Sequence, residues 1–74
     1  MTPLKLLHHM AKSKNTAIKT SSDGETKSHF IIQGRNQYGV DITNDGQYPF
    51  VWGLPDTHEW VTLCNKHNHH VDIF

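Results

Sequence analysis

The chain has one cysteine, Cys64, in 74 residues. No disulfide can therefore form within it, and a lone cysteine fits a reducing compartment better than a secreted scaffold. Long apolar runs are also missing. The hydrophobic fraction is 35% and the mean hydropathy is −0.61. Nothing approaches the roughly 20 apolar residues of a membrane-spanning helix. Leu4-Lys5-Leu6-Leu7 is too short for the hydrophobic region of a secretory signal. The expectation is a soluble, cytoplasmic protein. There is no P-loop and no dinucleotide fingerprint. Seventy-four residues make one small domain, which buries a limited share of its surface. Without disulfides, a scaffold of this size relies on a metal, a partner subunit or a compact core.

Charge is present but unevenly placed. Seven Lys and Arg balance seven Asp and Glu, yet residues 1–22 hold Lys5, Lys12, Lys14 and Lys19 and no acid. The remainder is net acidic. A basic end of this kind could reach a polyanion such as nucleic acid. Four lysines also suit a solvated arm lying on the protein's own acidic body.

Thr2-Pro3 is a helix start, with a hydroxyl N-cap and proline at the first helical position. Leu4, Leu7 and Ala11 then form one stripe, opposite Lys5, His8, His9 and Lys12. This predicts an amphipathic helix over 3–12. Residues 13–28 are polar and read as a linker, with a turn at Ser22-Asp23-Gly24. From His29 the period becomes two. Tyr38, Val40 and Ile42 alternate with Gln37, Gly39, Asp41 and Thr43. Asn44-Asp45-Gly46 signals a hairpin, and Tyr48, Phe50 and Trp52 alternate with Pro49 and Val51. Because proline cannot donate to a ladder, that third strand is expected at an edge or a bulge. Residues 57–67 fit two templates. Trp60, Leu63, Cys64 and His67 have helical spacing, whereas Trp, Val and Thr followed by Asn65-Lys66-His67-Asn68 suggest a strand and hairpin. The hairpin is the expectation. The fold class is α+β: a short N-terminal helix with an antiparallel sheet of three to five strands over 29–74, a meander or small barrel.

The densest chemistry lies at 58–70, where His58, Cys64, His67, His69 and His70 fill five of thirteen positions. Imidazole and thiolate are the ligands zinc prefers, and structural zinc needs about four of them in tetrahedral array. Cys64-x2-His67 is a half-site that His69 and His58 could complete, with zinc as the cofactor. The alternative is a buried small cysteine with surface histidines. Trp60 to His67 resembles, over eight residues, the zinc-knuckle segment of HNH endonucleases, where a Leu-Cys pair precedes a second ligand. His67 stands at that family's second cysteine, the upstream Asp-His pair is missing, and nuclease activity is not carried over. Covalent catalysis would need a nucleophile, a base and an orienting group around a pocket. Only Cys64 with His67 is on offer, so no enzymatic activity is expected. Seven histidines also permit a change in binding or assembly between about pH 7.5 and 5.5.

These readings converge on a non-enzymatic binding protein that acts on a macromolecular partner through its surface. Small inhibitors and adaptors of phages and other mobile elements are often of this size. A protein partner is favoured, and a homo-oligomer is open. The candidate contact residues are Arg35, Asn36, Tyr48, Phe50, Trp52, Val71, Ile73 and Phe74. The second reading is a zinc-stapled nucleic-acid-binding module. It would use Cys64 and nearby histidines, with Lys5, Lys12, Lys14 and Lys19 on phosphates and the aromatics as a stacking platform.

Overall fold

The computed structural model describes residues 1–46, 49–55 and 57–74. In chain order these form α1 (Pro3–Ser13), β1 (Lys19–Ser22), β2 (Thr26–Gln33), β3 (Asn36–Thr43), β4 (Pro49–Leu54), α2 (His58–Lys66) and β5 (Val71–Ile73). The strands make one open sheet in the order β1-β2-β3-β4-β5. The first four pair antiparallel, and β5 joins β4 in parallel after the α2 crossover. The fold is α+β, as its pattern predicts.

Both helices are set by their ends. The Thr2 hydroxyl accepts from the Lys5 N–H at 3.3 Å, and Pro3 opens α1. α1 stops at Asn15 (φ 52°) and α2 at Asn68 (φ 63°), each a non-glycine residue in the left-handed region. After α1, the Thr16 N–H reaches the Ala11 carbonyl and the Asn15 N–H reaches Lys12. After α2, His69 reaches Cys64 and Asn68 reaches Asn65. Both sets are Schellman caps, in which asparagine replaces the usual glycine.

The helices share one face of the sheet. Ile31 pairs with Tyr38, and Val40 with Val51, which pairs in turn with Val71, so these side chains point the same way. Leu6, Leu7, Met10 and Ala11 of α1 and Trp60 and Cys64 of α2 pack with them in the core. Trp60 is fully buried, and its indole N–H donates to the Trp52 carbonyl at 3.0 Å. That bond satisfies the one polar atom of the largest core side chain and fixes α2 to the β4 backbone.

Three expectations are corrected, and the sheet is described more closely. Residues 13–28 are not a linker, since they hold β1 and the start of β2. β1 is polar and fully exposed, and its ladder with β2 holds it in place. Residues 57–67 are mostly helix. The helical spacing of Trp60 and Cys64 prevails because both must reach the same core. The sheet is not wholly antiparallel, because a helix rather than a turn joins β4 to β5. It stays open instead of closing into a barrel. Finally, β4 lies inside the sheet. Pro49 is its first residue and sits beyond β5, which pairs only from Val51 onward, so the missing donor interrupts no ladder there.

Candidate interaction surface

Among the described residues, nothing covers the second face of the sheet. Register places its side chains in rows. Lys19, Phe30, Gly39, Trp52 and Asp72 form one row across all five strands. Ile32, Gln37 and Leu54 form the next, and Ser28, Asp41 and Phe50 a third. This face is therefore apolar along β2 and β4 and polar between them. Ile32 is 40% exposed and Phe50 55%, while Phe30, Trp52 and Leu54 are half-buried.

Trp52 organises the surface. Its indole lies over Gly39, where a Cβ would come within 2.1 Å of the ring. The indole N–H donates to an Asp41 carboxylate oxygen at 2.8 Å. The Phe30 ring stands 6.1 Å away, tilted by 42°. The bare backbone at Gly39 thus gives the indole room to lie down, and Asp41 locks its rotation. The result is a flattened aromatic floor rather than a projecting side chain. An exposed apolar group of this extent, rimmed by polar residues, marks interaction sites on soluble domains.

The residues singled out in the sequence fall into several places. Phe50 and Trp52 are on this face. Arg35 is exposed in the two-residue turn between β2 and β3, and Asn36 begins β3 half-buried. Tyr48 lies outside the described residues. Val71 is 8% exposed and belongs to the core. Ile73 and Phe74 are 53% and 71% exposed, and the Phe74 N–H donates to the Gly53 carbonyl at 3.0 Å, which aligns the segment with β4. Phe30, Ile32 and Leu54 were missed. Their signal was present: β2 and β4 carry apolar residues at consecutive positions, a pattern of strands with two apolar faces.

The candidate zinc ligands are not gathered. Cys64 is fully buried in the core, and burial pushes its thiol up to about 12. A thiol so hard to deprotonate is a poor metal ligand and a poor nucleophile. His58 and His67 bracket α2 at its first residue and its C-cap. The His69 ring lies 2.9 Å from the Met1 carbonyl, and His70 is 3.2 Å from Asp72. Among the described residues no group of three or more His, Cys, Asp or Glu side chains could hold a metal ion. Helical spacing defeats the motif here, because it turns Cys64 inward toward the core.

The lysines are likewise dispersed. Lys5 and Lys12 are exposed on α1, behind the sheet from the aromatic floor. Lys14 pairs with Glu59 of α2 at 2.9 Å and lies 5.5 Å from the Tyr38 ring centre. Its hydrogen bond to Glu59 raises its pKa. Lys19 alone projects on the aromatic side, at the β1 edge. A shallow groove between the helices is touched by His9, Met10, His58 and Leu63. No helix among the described residues is long and apolar enough to cross a membrane. Comparison with protein-family models, curated proteins and solved structures returned no match.

Proposed function

We propose that this is a non-enzymatic binding protein that engages a protein partner through the uncovered face of its sheet. One observation carries this reading: Phe30, Ile32, Phe50, Trp52 and Leu54 share a face on which no described element packs. Flat aromatic and aliphatic groups with few charges suit the desolvated centre of a protein interface, where tryptophan dominates the energy. Nucleic acid is less well served. A stacking platform works with cations tracking the backbone beside it, and here Lys5 and Lys12 lie behind the sheet while Lys14 is held by Glu59.

The reading is tested by replacing Phe50 with the photo-crosslinker p-benzoylphenylalanine, and Lys12 likewise as a control on α1. Irradiation in the source cells is expected to give a discrete protein adduct from position 50 and none from position 12. Equal yields from the two positions, or none from either in folded protein, would refute the proposal.

A further inference from the structure

The row Lys19–Phe30–Gly39–Trp52–Asp72 reads, from edge to edge, as cation, aromatic, gap, aromatic, anion. Such an order is complementary to itself. Consider a two-fold axis parallel to the strands and running beneath Gly39. It lays a second sheet face to face on the first and exchanges the edges. Lys19 of each copy then meets Asp72 of the other, and Phe30 meets Trp52. In the neighbouring rows, the same operation sets Ile32 against Leu54 and the small Ser28 against the large Phe50. Aligned sheets pack about 10 Å apart with a twist near 30°, which keeps these partners within reach.

Resting on the assignment of this face as the binding surface, we propose that the partner it fits is a second copy of this chain, joined as an isologous face-to-face dimer. Charge order supports a copy over a partner of unrelated surface. Among the described strand residues of the face, its one lysine and its outermost anion stand at opposite edges in the same row, so one symmetric operation pairs both, while Asp41, bonded to the Trp52 indole, meets its own copy near the axis. The footprint is about 24 Å across five strands and about 17 Å along them. That is at the small end of specific interfaces, so the dimer is expected to depend on concentration rather than to be permanent.

Lys19 and Asp72 of one chain are four strand spacings apart, about 19 Å. They cannot pair with each other within a copy, and this makes a charge swap decisive. Sedimentation equilibrium from low micromolar to submillimolar protein would compare the wild type with Lys19→Glu, Asp72→Lys and the double variant. Both positions are exposed on edge strands, and circular dichroism would verify folding. Two contacts are reversed per dimer, so each single change is expected to weaken association about tenfold, and the double variant to restore it. A wild type that stays monomeric throughout, or a double variant no better than the singles, would overturn the dimer. If it stays monomeric while position 50 still crosslinks to another protein, the face assignment survives and the second copy is excluded. If neither occurs, both fall. A crosslinked adduct of twice the chain mass supports the dimer.

Discussion

The two faces of the sheet are both apolar, but they are finished differently. On the covered face, Ile31, Tyr38, Val40, Val51 and Val71 meet two helices and are almost wholly buried. On the other, a similar number of large apolar groups meets only Trp52 and its neighbours. In an ordinary antiparallel sheet with one wet side, the outer face is polar. Here β3 follows that rule, with Gln37, Gly39, Asp41 and Thr43 outward, whereas β2 and β4 break it. The difference separates the part of the sequence spent on folding from the part available for contact. Substitutions on one face should therefore act on stability, and those on the other on association.

The largest effect is expected at Trp60. Trp60→Ala removes the largest core side chain and its bond to the Trp52 carbonyl. A loss of about 3–5 kcal/mol follows, comparable with the whole stability of a domain this small. Thermal denaturation should show a midpoint lower by well over about 10 °C, or no cooperative transition. A drop of only a few degrees would place α2 outside the core. Gly39→Ala tests the floor from beneath. Its Cβ would overlap the Trp52 indole, which must lift and release Asp41. About 1–3 kcal/mol of destabilisation is expected, with a shift in tryptophan fluorescence. An unchanged spectrum would show that the indole does not lie on Gly39.

Thr57 offers an effect of opposite sign. It is 1% exposed, and among the described residues its hydroxyl has no hydrogen-bond partner. Thr57→Val keeps the shape and removes the unsatisfied oxygen, so urea denaturation should show a gain of about 1 kcal/mol. A loss would reveal a bond made by that hydroxyl. Acid should weaken the covered side. His29 projects beneath α1, and burial first, then Lys27 and His8, lowers its pKa below the ordinary 6.5, against a raising influence of Asp41. As pH falls through 6.5, the unfolded chain takes the proton first, and stability declines until the folded pKa is passed. His29→Gln should flatten the stability profile between about pH 7 and 5, and an unaltered slope would remove His29 from the cause. The smallest effect belongs to the open face. Phe50→Ser should change stability by less than about 0.5 kcal/mol, yet weaken association through that surface, as sedimentation equilibrium would show.

Much of this architecture was legible in the residues. Thr2-Pro3 and the stripe of Leu7 and Ala11 announced α1, and the alternation of Tyr38, Val40 and Ile42 announced β3. β1 was not legible, because Lys19-Thr20-Ser21-Ser22 is exposed throughout and an edge ladder needs no apolar period. α2 was ambiguous since nine residues span too few turns to separate two templates. Asn15 and Asn68, as left-handed helix stops, held information about where both helices end. For the candidate surface, Phe50 and Trp52 were recognisable, but an edge was inferred where a face exists. Consecutive apolar residues in Phe30-Ile31-Ile32 and in Phe50-Val51-Trp52 point to two apolar faces. Only the pairing register reveals which face lies bare. The histidine and cysteine cluster misled because proximity in sequence says nothing about direction on a helix.

The strand order follows the chain order from β1 to β5, and this has a kinetic consequence. From β1 to β4 each strand finds its neighbour by closing a short loop, so this part of the sheet can zip from the β2–β3 turn outward with little entropy lost per step, whereas β5 reaches β4 only across the α2 crossover. The docking of α1 on α2 and β3 then joins segments far apart in the chain. Mixed helix-and-sheet domains fold at rates between those of helical bundles and those of all-β barrels, and local pairing moves a domain toward the faster end. The slow event should be the arrival of α1, which covers one of two otherwise equally bare faces.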